Sequence, residues 1–139
     1  MKSKPYILSV EDNPNDVALM SRIFKKKIAD HDVFFFPDTG VTKNFLQEKH
    51  MTNALPNLIL LDIKLIKGNG LDLLASLKND DRFKHIPVVM LSSSGRSDDK
   101  NAAYQRGCNE YIEKPKSFKV LSTKLPEIID SWSLKTDDS

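Results

Sequence analysis

One cysteine, one tryptophan and five glycines are all that this 139-residue chain has of those types, and no apolar stretch approaches the ~20 residues needed to cross a bilayer. A lone Cys108 excludes an intramolecular disulfide framework, and the amino terminus lacks the long apolar core of a signal peptide. Neither sign of charge dominates. A formal net charge of +2 with 29% charged residues gives no basic footprint for nucleic acid or a membrane surface. No repeat, low-complexity stretch or linker interrupts the chain. The expectation is a reduced, cytoplasmic single domain over residues 1–134 with a frayed tail at 135–139. Such a domain can bury a core but cannot carry a separate effector module, so its output must come from its own surface.

What is present is an alternation of short apolar runs with segments of helical period, the pattern of strand-helix units around a parallel sheet. Tyr6 to Val10, Val33 to Phe36, Leu58 to Leu61, Val88 to Leu91 and Tyr111-Ile112 read as strands. Asn13 caps a first helix with Pro14 as its first residue, and Val17, Met20, Ile23, Phe24 and Ile28 form its buried face. Asp16 and the run Lys25-Lys26-Lys27 complement its dipole at opposite ends. A second helix runs from Val41 to about Lys49. Gly68 and Gly70 supply backbone freedom before a third, carrying Leu71, Leu74 and Leu77 and ending at Asn79-Asp80-Asp81. Ser97 caps a fourth, with Asp98 and Asp99 in its first turn and Gly107 past its end. The last starts at Ser117 and turns Phe118, Leu121, Leu125, Ile128 and Ile129 inward, with Pro126 expected to kink or interrupt it.

Three of the strands end in residues that phosphoryl chemistry can use: Glu11-Asp12, Asp62 and Ser92. The carboxyl ends of parallel neighbours share one edge, where open α/β sheets bind ligands. Two like charges about 5 Å apart repel by roughly 3 kcal/mol at an effective dielectric of ~20, so the acid cluster needs a cation or a shifted pKa. Few, all-oxygen ligands suit Mg²⁺, which keeps several waters and takes phosphate oxygens; Ca²⁺ wants a larger cage. Lys114, just after the fifth strand, brings an ammonium to the same edge. Asp62 is then the candidate nucleophile, with Lys114 and Ser92 as donors to the transferring group.

At these residues the chain resembles the receiver domains of two-component response regulators, a chemotaxis-regulator-like family, over essentially its whole length. The motifs are Val10-Glu11-Asp12-Asn13, Leu60-Leu61-Asp62, Gly70, Leu91-Ser92-Ser93-Ser94 and Tyr111-Ile112-Glu113-Lys114-Pro115. The resemblance implies a flavodoxin-like, doubly wound five-stranded sheet in order 2-1-3-4-5 with five helices. It implies an aspartyl phosphate on Asp62, donated by a sensor histidine kinase or phosphotransfer protein. It also implies Mg²⁺ held by Glu11, Asp12, Asp62 and the Lys64 carbonyl, catalysis limited to the domain's own phosphorylation and dephosphorylation, and a cis Lys114-Pro115 peptide. Phosphorylation in the family draws the hydroxyl at Ser92 toward the phosphoryl group and turns the aromatic at Tyr111 inward, remodelling the face of the fourth helix, fifth strand and fifth helix. Small Ser93 leaves access to the nucleophile.

Asn13-Pro14, the stretch from Leu77 to Pro87 and Trp132 are similar to the single-domain subgroup that includes phytochrome-associated response regulators. That implies a phytochrome-type kinase and a homodimer through the same face, with Trp132 either in the dimer contact or covering the sheet. Ile66 stands where the family commonly has proline, Glu11 where it has aspartate, and Lys64 beside Asp62 is unusual. Contact of Lys64 with an acid or the phosphoryl group would alter phosphoryl lifetime. An unphosphorylated interaction module on the same fold is the alternative these departures leave. A haloacid-dehalogenase-type phosphatase needs a second aspartate where Lys64 stands, and a flavodoxin-type flavin module needs a phosphate loop that Glu11-Asp12-Asn13-Pro14 would repel. His31, His50 and His85 read as ordinary surface residues and Cys108 as a packed small one.

Overall fold

Residues 4–133 are described by the structure, a computed structural model. The tail at 135–139 lies outside the described residues. In chain order the elements are β1 (Tyr6–Val10), α1 (Pro14–Lys27), β2 (Asp32–Phe36), α2 (Thr39–Met51), β3 (Leu58–Leu61), α3 (Gly70–Lys78), β4 (Val88–Ser92), α4 (Ser97–Gln105), β5 (Glu110–Glu113) and α5 (Phe118–Trp132). All four strand pairings are parallel, in the order β2-β1-β3-β4-β5, as expected.

Alternation along the strands splits the core into two layers, because successive side chains point to opposite faces of a sheet. Leu8, Ile59, Leu61, Val88 and Met90 pack with Leu46 of α2, Leu73, Leu74 and Leu77 of α3 and Ala103 of α4. Ile7, Leu58, Leu60, Val89 and Leu91 pack on the other side with Met20, Ile23 and Phe24 of α1 and Leu121, Leu125, Ile128 and Ile129 of α5. Central strands buried on both faces account for their uninterrupted apolar runs. Cys108 is packed in the first layer, and burial pushes its thiol up to about 11.

Several local expectations need correction. Asp38 caps α2 by accepting from the Val41 N–H at 2.8 Å, so the helix begins at Thr39 rather than at Val41. Arg96, with no side-chain cap bond, precedes α4, and Ser97 is its first residue rather than its cap. Gly68 has φ +94°, the left-handed region that favours glycine, whereas Gly70 does not need it. At Gly70 the requirement is space: a Cβ would lie 1.9 Å from the Asp62 carbonyl oxygen. Val17 is only half-buried and Phe118 is exposed, its ring covered by the Arg22 guanidinium at 5.1 Å.

Pro126 does not interrupt α5, which is continuous from Phe118 to Trp132. An interior proline costs about 3 kcal/mol, but Leu121, Leu125, Ile128 and Ile129 bury side chains on both sides of it at about 1.5–3 kcal/mol each, which outweighs the break. Among the described residues there is no cis peptide bond, so Lys114-Pro115 takes the trans form that a prolyl amide also favours. His31 is no ordinary surface residue: its ring joins Asp30 at 3.1 Å and Ser133 at 2.8 Å. Trp132 packs against the second layer and its indole N–H donates to Glu110, so its ring covers the sheet.

Candidate functional site

Strand register brings the chemistry-bearing residues to one edge. Val10 pairs with Leu61, so Glu11 and Asp62 leave the sheet side by side, with the Asp62 N–H donating to the Val10 carbonyl at 3.2 Å. One strand further out Ser92 pairs with Glu113, and the Lys114 N–H donates to the Ser92 carbonyl at 2.6 Å. Asn13 caps α1 through Asn15 and Asp16, opening that helix's N-terminus on the same edge.

The Lys114 ammonium sits among three carboxylates, 2.6 Å from Glu11 Oε1, 2.9 Å from Asp16 Oδ2 and 3.3 Å from Asp62 Oδ2. Its side chain is 9% exposed. Burial by itself would lower its pKa, but the hydrogen bonds to Asp16 and Glu11 and the charges of Asp62 and Glu11 more than offset that and raise it. The Glu11 carboxyl is pushed up by burial, with the Lys114 ammonium and the Asn13 N–H drawing it back down. Asp62 is itself buried, and its second oxygen, Oδ1, is buried with no hydrogen-bond partner among the described residues.

Asp12 accepts from the Ile66 N–H, which ties it to the β3–α3 loop. Lys64 is exposed in that loop, bridged to Asn69 through the backbone, and Ile66 is 90% exposed. Ser92 is buried, and its hydroxyl accepts the Ser94 N–H at 3.2 Å, which leaves its hydrogen to donate elsewhere. Tyr111 is inward: its ring is buried and its hydroxyl donates to the Ser94 carbonyl at 2.7 Å. Lys114 is thus in direct contact with Glu11, Asp16 and Asp62, while Ser92 and Tyr111 join through Ser94 of the β4–α4 loop. A cleft of about 290 Å³ opens beside them, lined by Asp16, Ser93, Lys114, Pro115 and Phe118 among others.

The sequence gives no sign that Asp16 belongs to this cluster. In sequence it is a first-turn acid that the helix dipole explains completely, and its partner lies 98 residues away. The Ser94 hydroxyl bond to Asp99, which holds the β4–α4 loop to α4, has no sequence signal either.

Among the described residues no group of three His, Cys, Asp or Glu side chains is arranged to enclose a metal. An all-oxygen donor set with one unpartnered, buried carboxylate oxygen nevertheless fits a hard divalent cation that keeps most of its waters.

The response regulator receiver domain profile matches residues 7–126. The chain belongs to this family. Response regulator Rcp1 of Synechocystis sp. is 36% identical over 132 residues, spanning 94% of this chain and 89% of Rcp1. A probable methanogenesis regulatory protein, FilR2 of Methanothrix harundinacea, is 33% identical, covering 91% and 82% of the two chains. The crystal structure of the phosphorylated cyanobacterial phytochrome response regulator RcpA superposes with a TM-score of 0.85 at 32% identity, covering 94% of each chain. The Mn²⁺-bound form of Rcp1 superposes at 0.82 with 34% identity, covering 95% of this chain and 96% of Rcp1. Receiver-domain response regulators are, as a family, phosphoacceptor signalling proteins of two-component systems. No helix among the described residues is long and apolar enough to cross a membrane.

Proposed function

We propose that Asp62 accepts a phosphoryl group from the phosphohistidine of a sensor kinase of phytochrome type, and that the signal leaves through this domain's own surface. An Asp62 oxygen attacks phosphorus as the bond from phosphorus to the donor imidazole nitrogen breaks. The observation that carries this is Asp62 itself, a buried carboxylate with one bare oxygen and an ammonium 3.3 Å from the other. Lys114 neutralises charge on the arriving group, and the Ser92 hydroxyl donates to it. Glu11, Asp12, Asp62 and the Lys64 carbonyl would hold Mg²⁺, which when bound offsets the negative charge of the phosphoryl oxygens. Rcp1 in its Mn²⁺-bound form and RcpA as a phosphorylated phytochrome response regulator support that reading by similarity.

Intact mass after incubation with Mg²⁺ and acetyl phosphate, or with a cognate kinase, tests it. A single base-labile phosphoryl addition is expected, absent from Asp62→Asn. No addition with either donor leaves the unphosphorylated interaction module in its place.

The face made by α4, β5 and α5 is proposed to pair two copies of the chain, with Tyr111 already turned inward before phosphorylation. Tyr104 of α4 and Val120 of α5 are exposed large hydrophobics there, at 46% and 51%. Light scattering after size exclusion, with and without a phosphoryl mimic, is expected to give a dimer in the activated state. A strict monomer in both states ends the dimer.

A further inference from the structure

We propose that Asp16 is a positioning residue that draws the Lys114 ammonium toward α1 and so keeps Asp62 open to a divalent cation and to the incoming phosphoryl group. The inference rests on Asp62 being the metal-assisted acceptor. An ammonium has three N–H donors, and here three carboxylates take them. The contacts are unequal. Glu11 and Asp16 hold the nitrogen at 2.6 and 2.9 Å, while Asp62 lies at 3.3 Å and keeps its other oxygen bare.

An ammonium and a metal ion compete for the same carboxylates. With the Asp16 charge gone, the third N–H would have Glu11 and Asp62 as its acid partners, so the nitrogen would close on Asp62 where the cation must bind. Asp16 is itself well fixed for this task. It is the third residue of α1, behind Pro14, with the Asn13 side chain accepting from the Asn15 and Asp16 N–H groups at 2.9 and 3.4 Å. The carboxylate is 27% exposed, on the wall of the cleft that reaches Lys114.

Mn²⁺ binding to the unphosphorylated full chain, read by electron paramagnetic resonance, tests the inference without reference to phosphorylation. Asp16→Asn is expected to weaken Mn²⁺ about 5- to 20-fold, which lies inside the range of coupling between contacting residues. Asp16→Glu is expected to restore most of the affinity. In a Lys114→Met background the same Asp16→Asn change is expected to fall below about threefold, because no ammonium is left to release. Equal weakening in both backgrounds, or no weakening in either, overturns the proposal. The Asp62 carboxyl carbon resonance gives a second reading with Lys114 intact: it is expected to shift in Asp16→Asn, and an unmoved signal sinks the idea. A parent chain that binds no Mn²⁺ at all defeats the underlying metal-site reading instead.

Discussion

Replacing Gly70 with alanine is expected to destabilise the domain by at least ~3 kcal/mol, although helix propensity alone forecasts a gain. Gly70 is the first residue of α3, where alanine would be better than glycine by up to about 1 kcal/mol. Sterics run the other way and win. The added Cβ would meet the Asp62 carbonyl oxygen at 1.9 Å, and the Asp62 carbonyl carbon and Ile63 Cα at 2.8 Å each. These are backbone atoms, so no side-chain rotation relieves them. Overpacking typically costs 1–3 kcal/mol, and an approach this close lies at or above the top of that range. Against a total of about 5–15 kcal/mol for a domain, the loss is large. Urea unfolding of Gly70→Ala beside Gly40→Ala makes the contrast, since a Cβ at Gly40 meets only Asp38 Oδ1 at an ordinary 3.4 Å. Gly40→Ala should be neutral or slightly stabilising. A Gly70→Ala chain within 1 kcal/mol of the parent would show that the β3–α3 loop yields easily.

The same position illustrates what the sequence could and could not reveal. The cap at Asn13 was legible because it is a local event, a side-chain oxygen accepting N–H groups two or three residues on, whereas Ser117, expected to be the first residue of the last helix, is its cap. Five apolar runs in strand-helix units pointed to a parallel sheet with one shared carboxyl edge, whereas the strand order rested on the resemblance to receiver domains. Gly70 was recognisable as a glycine position, but its reason was not, because the clash is with a strand residue brought back by the turn. Phe118 follows the helical period that buries Leu121 and Leu125, yet it stays exposed under the Arg22 side chain. Pro126 argued against an unbroken helix, and only the packing on either side of it decides otherwise. Asp16 shows the limit most clearly: a residue satisfied by local chemistry gives no sign of a long-range partner.

That partner, Lys114, holds three acids at once. Lys114→Met in the absence of divalent cations is expected to lose about 3–5 kcal/mol at neutral pH, the usual cost of removing one member of a buried charged group. Each contact is worth roughly 5–6 kcal/mol gross at an effective dielectric of ~20, over 2.6 to 3.3 Å. Desolvation of the ammonium and repulsion among the acids consume most of that.

The pH dependence identifies the cause. Burial already raises Glu11, and without Lys114 its main opposing influence is gone, so its folded pKa climbs further. Between the ordinary carboxylate value near 4.3 and that raised value, the folded chain binds more protons than the unfolded one. Stability of Lys114→Met therefore rises as pH falls through that window. In the parent chain Lys114 has its pKa raised, so its contribution is fully present below the ordinary ammonium value near 10.4 and is lost as pH rises through the folded one. Millimolar Mg²⁺ should recover part of the deficit in the variant by replacing the missing positive charge. Chemical unfolding at pH 5 and 7, each with chelator and with Mg²⁺, separates the alternatives: a deficit identical in all four conditions would mean that Lys114 contributes packing rather than charge.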